Sequence, residues 1–94
     1  MPKDELSILR DEYRLSAGKK AADIRVAAEA GDAEQFCMLV HRLKGSAGTY
    51  GFHALGQAAS DSERLAKLPG THLKVAAVAV LRELERLGGP PSEQ

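Results

Sequence analysis

The stretch FCMLVHRLKGSAGTYGF, residues 36–52, combines two patterns in one run. Phe36, Val40, Leu43, Ala47 and Tyr50 recur at three- and four-residue steps, the spacing of one buried face of an amphipathic helix. Between them lie Gly45 and Gly48, residues that each cost a helix interior roughly 0.5–1 kcal/mol against alanine. A helix advances about 100° per residue, which sets Cys37, Gly45 and Gly48 within about 40° of His41 and Lys44 at about 60°. The apolar stripe is centred more than about 100° away by the same count. His41 therefore looks outward, beside one cation and two positions without side chains. A site that gives up helix stability on an exposed face is expected to let something come close there.

Outward from this stretch the pattern continues. Asp32 is a good N-cap for the helix, which is predicted over about 33–50, and Gly51 is its stop. Upstream, Leu6, Leu9, Tyr13, Ala17, Ala21, Ile24 and Ala28 keep helical spacing, with Ser16 and Gly18 marking a kink or a split into two collinear pieces. Downstream, Leu55, Ala58, Ser62 and Leu65 predict a helix over about 53–67, ended by Leu68-Pro69-Gly70. Thr71 is the expected cap of a last helix carrying Leu73, Ala77, Val80, Leu84 and Leu87. Four stripes with short connections imply an all-α, antiparallel up-and-down four-helix bundle over residues 1–87, with 88–94 as a flexible tail.

The composition agrees with this reading. The chain has 94 residues, enough for one modest core, and no tryptophan, so Leu, Ala and Val must fill it. Thirteen basic and thirteen acidic residues cancel, which offers no support for a nucleic-acid or membrane partner. The lone cysteine, Cys37, rules out an internal disulfide and suits a reducing compartment. With no signal-like or membrane-spanning run, a cytoplasmic location is expected.

The chemistry of the outward face follows from its residue types. A neutral imidazole is a nucleophile that changes charge near neutral pH. Lys44 would balance an anion on the ring, and Gly45 and Gly48 would admit a bulky partner. That combination suits an imidazole that takes a phosphoryl group from one protein and hands it to another. Cys37 and His41 at i, i+4 form a poor metal site, because His53 and His72 sit on other segments and no Cys-x-x-Cys pair exists. Ser46 lies on the far side of the helix from His41, so the two make no nucleophilic dyad.

The string His41-Arg42-Leu43-Lys44-Gly45-Ser46-Ala47-Gly48 resembles the H-x-L-K-G-S-A-G signature of histidine-containing phosphotransfer (HPt) domains. Asp32, Gly51-Phe52 and the segment from Leu55 to Leu65 fit as well, so the likeness covers about residues 5–87. The resemblance implies a four-helix bundle that is phosphorylated on the outer nitrogen of His41, with Lys44 steadying the phosphoryl group. It implies that Gly45 and Gly48 clear room for a response-regulator receiver domain. Family members often carry a glutamine that orients the inner nitrogen; Glu63 stands at the matching place, and Ser60, one turn earlier, is a second candidate. Met38 and Phe52 are expected to form an apolar docking patch.

The implied partners are receiver domains and a histidine kinase, in a two-component phosphorelay. The protein would be a phosphocarrier rather than an enzyme, holding no cofactor of its own; Mg²⁺ is expected only in the receiver. Two other readings stand beside this one: the phosphoacceptor domain of a chemotaxis-type kinase, and a helical adaptor that carries no phosphate.

Overall fold

The computed structural model describes residues 4–88, and every regular element in that span is helical. The order is α1 (Glu5–Leu15), α2 (Ala17–Ala30), α3 (Ala33–Thr49), α4 (His53–Ala66), α5 (Leu73–Ala76) and α6 (Val78–Leu87). Among the described residues no helix is long and apolar enough to cross a membrane.

Local chemistry sets the ends. Asp4 caps α1 by accepting from the Ser7 N–H at 2.7 Å, and Asp32 caps α3 through the Gln35 N–H at 3.1 Å. Gly31 and Gly51 take the left-handed conformation at φ 68° and 81°. Each lets the next residue close back on the preceding helix, Asp32 N–H on the Ala27 carbonyl at 3.0 Å and Phe52 N–H on the Ala47 carbonyl at 2.8 Å.

The first thirty residues are two pieces, and the break is at Ser16 rather than Gly18. The Ser16 hydroxyl donates to the Tyr13 carbonyl at 2.7 Å, so a side chain takes up a helix acceptor at the joint. The last rod is also divided, at Ala77. That residue keeps right-handed angles and is bonded on both sides, to the Leu73 carbonyl and from the Leu81 N–H, so α5 leads directly into α6. His72, not Thr71, caps this rod: its carbonyl receives the Val75 and Ala76 N–H groups, while the Thr71 N–H closes the turn to Leu68.

Helices α2, α3, α4 and α6 close a ring in which each packs on its two neighbours. Inside lie Ile24, Phe36, Val40, Leu43, Leu55, Val80 and Leu84, interleaved with Ala17, Ala21, Ala47, Ala58, Ala59, Ala76 and Ala77. So much alanine lets the helices approach closely. The most extensive meeting is between α3 and α4, where a Cβ added to Gly56 would lie 3.8 Å from both the Ala47 Cβ and the Lys44 carbonyl.

Three expectations about burial are corrected. Leu65 is 38 % exposed at the end of α4, so the buried face of that helix is Leu55, Ala58, Ala59 and Ser62. Leu6 and Leu9 are exposed as well. Tyr13 already meets the α3–α4 turn, and a helix rises about 1.5 Å per residue, so the first turns of α1 run beyond it. Gly88, expected in a loose tail, bonds to the Leu84 carbonyl, and its α-carbon sits so close to Ala17 that an added Cβ would come within 2.8 Å. The rest of the expected tail, 89–94, lies outside the described residues.

Candidate functional site

His41 sits midway along α3 on the face away from the core, its side chain 65 % exposed. Its Nδ1 lies 3.1 Å from Glu63 Oε2 and 3.3 Å from Oε1, across the α3–α4 contact. An ionised carboxylate only accepts, so Nδ1 is the ring nitrogen that carries the proton and donates. In the neutral ring this leaves the lone pair on Nε2, which has no hydrogen bond to any described residue. The carboxylate thus selects the tautomer and orients the ring, as it does behind metal-bound and catalytic imidazoles.

Glu63 is more enclosed than its neighbours, with a side chain 13 % exposed, and it gathers three donors. Besides His41 they are Lys44 Nζ, 3.3 Å from Oε1, and Lys67 Nζ, 3.3 Å from Oε2. Desolvation pushes the Glu63 carboxyl up, but the hydrogen bonds from His41, Lys44 and Lys67 outweigh it and hold the group below its ordinary range. It is ionised at neutral pH. Lys44 therefore starts beside His41 yet tied to the carboxylate that orients it.

Gly45 and Gly48 are exposed, and a Cβ built on either meets nothing within 4 Å. Neither glycine serves a close helix contact among the described residues. Among them that role belongs to Gly56, on α4, and to Gly88, at the end of α6. The face around His41 is bare backbone at these two points, flanked by Met38, which is 38 % exposed.

The remaining candidates divide. Ser60 is half-buried on α4 and makes no hydrogen bond to His41, whose Nδ1 is taken by Glu63. Phe52 is no part of a docking surface: it is 9 % exposed and stacks on Tyr13 with ring centroids 5.4 Å apart. The Arg10 and Arg14 guanidinium groups lie 4.8 and 5.3 Å from its ring centre. The left-handed Gly51 turns the chain inward, which carries the next side chain under α1.

Two participants escaped the sequence reading. Lys67 follows Glu63 at i+4, a spacing that signals an ion pair once Glu63 is known to matter. Ser46, silent in a dyad, bonds instead to Tyr13. Its hydroxyl donates to the Leu43 carbonyl at 3.2 Å and so accepts from the Tyr13 hydroxyl at 2.6 Å. No local pattern joins residues 33 positions apart.

The family model described as Hpt domain matches residues 8–89, an interval that contains α2 to α6 and most of α1. No curated protein and no solved structure matches the chain. With the model spanning nearly all of the chain, and an outward histidine held by a carboxylate on the neighbouring helix, this protein belongs to the Hpt domain family, the histidine phosphotransfer modules of two-component phosphorelays.

Proposed function

We propose that His41 is the phosphoacceptor and that the protein is a relay intermediate, exchanging the group with aspartates of receiver domains. One observation carries this reading: Nδ1 is engaged by Glu63, so the nucleophilic lone pair is on Nε2, on a face left open by Gly45 and Gly48. In the forward step Nε2 attacks the phosphorus of a receiver's aspartyl phosphate. The N–P bond forms as the acyl phosphate P–O bond breaks, and the aspartate leaves as a carboxylate. The reverse step returns the group to a second receiver. Glu63 holds the Nδ1 proton throughout and stabilises the cationic ring that forms.

Lys44 then turns to the phosphoryl oxygens as charge accumulates there. Positioning and Mg²⁺ are supplied by the receiver, so this chain acts as a carrier. The frame is the ring of α2, α3, α4 and α6, which we read as an antiparallel up-and-down bundle, with α1 extending α2 and α5 leading into α6.

The test is incubation with a phosphorylated receiver domain, followed by acid and alkali treatment of the labelled protein. Label that is lost in acid, survives alkali and is absent from His41→Gln supports the reading. Label that persists in His41→Gln overturns it.

A further inference from the structure

The three donors on Glu63 include two ammonium groups, although orienting His41 needs only the carboxylate. Lys44 and Lys67 approach opposite oxygens of the same carboxylate, Oε1 and Oε2, each at 3.3 Å. The shortest contact from His41, at 3.1 Å, goes to Oε2, the oxygen that Lys67 holds. Lys67 lies at the C-terminal end of α4, its backbone N–H closing on Arg64 and Leu65, so it belongs to the same rigid element as Glu63. Lys44 comes from α3, beside His41.

We propose that Lys67 is a positioning residue for phosphoryl transfer: it keeps Glu63 charge-balanced on the His41 side, so that Lys44 can leave Oε1 for the phosphoryl group. The proposal rests on His41 being the phosphoacceptor. Its physical basis is the enclosure of Glu63. A carboxylate whose side chain is only 13 % exposed binds its cations more firmly the fewer it has. With Lys67 in place, departure of Lys44 leaves Glu63 with a cation on Oε2 and the Nδ1–H donor of His41. Without Lys67, Lys44 becomes the sole ammonium partner of a partly shielded anion and is retained there. The phosphoryl group on Nε2 would then go without its cation.

The probe is phosphoramidate, whose P–N bond breaks as Nε2 bonds to phosphorus and whose ammonia departs. Labelling of His41 and loss of the label are followed by phosphorus NMR in wild type, Lys67→Met, Lys67→Arg, Lys44→Met and the Lys44→Met/Lys67→Met double variant. Circular dichroism confirms that each is folded. Lys67→Met is expected to label about three- to tenfold more slowly, with Lys67→Arg restoring most of the rate. In the Lys44→Met background the same change should have little further effect, because no Lys44 remains to be released.

Labelling of Lys67→Met at the wild-type rate, or an undiminished effect in the Lys44→Met background, overturns the role given to Lys67 and leaves the phosphoacceptor reading standing. A wild-type protein that takes no label on His41 from phosphoramidate or from a phosphorylated receiver overturns both.

Discussion

His41 does little for packing, so His41→Gln is expected to keep the wild-type melting temperature while losing all phosphoryl label. His53→Gln and His72→Gln, on other elements, should label normally in the same assay. Glu63 adds a pH signature. Its carboxyl lies below the ordinary range in the folded protein, so near and below pH 4.5 the unfolded chain binds more protons. The stability it contributes is complete above that range and fades as pH falls through the folded value. Urea midpoints of wild type and Glu63→Gln should therefore converge on acidification from pH 7, and a constant difference would deny the ion cluster. Ser62 makes the opposite case. It is fully buried with no partner for its hydroxyl, so Ser62→Ala should stabilise the fold by about 1 kcal/mol.

Helix α3 has to serve two faces at once. Toward the core it presents Phe36, Val40, Leu43 and Ala47; toward solvent it gives up helix propensity at Gly45 and Gly48. Both glycines have helical backbones and open space above, so Gly45→Ala and Gly48→Ala should each add roughly 0.5–1 kcal/mol, read from urea unfolding. Gly48→Leu should also fold, yet transfer from a receiver should drop steeply while labelling by a small donor such as phosphoramidate changes much less. A receiver-dependent rate that ignores the leucine would show that no partner approaches over this position.

At the scale of the whole molecule, α1 is tied to the bundle through one aromatic junction. Tyr13 stacks on Phe52 and meets Tyr50 with ring centroids 5.2 Å apart, while its hydroxyl reaches Ser46 on α3. Burial raises the Tyr13 phenol above its ordinary range, against the lowering influence of the Ser46 hydrogen bond, so the group stays neutral and donates. Phe52→Ala is expected to cost about 3–4 kcal/mol and to lower the thermal midpoint sharply. Met38→Ala, on the exposed face, should leave that midpoint nearly unchanged. Any loss of transfer in Phe52→Ala would then arise from the damaged fold and not from a missing partner contact.

The helices, their caps at Asp32 and Gly51 and the outward aspect of His41 were legible in the chain alone, because each follows from residues within a turn or two of one another. The three-four stripe of α3 and its two exposed glycines need no tertiary information, and they lead directly to an open, nucleophilic histidine. The junction at Ser16 was less plain, since Ser16 and Gly18 both mark it and only the folded backbone shows the Ser16 hydroxyl on the Tyr13 carbonyl. Phe52 was misplaced because periodicity does not extend across a left-handed turn. The direction of the first side chain after Gly51 depends on where α1 crosses. Glu63 was found through resemblance to a signature, but its hold on Nδ1 and its sharing between Lys44 and Lys67 exist only where α3 and α4 meet. Periodicity states which face of a helix is buried. The distance between two faces is set by the alanines and Gly56 packed between them, and that distance brings a carboxylate within reach of an imidazole 22 residues away.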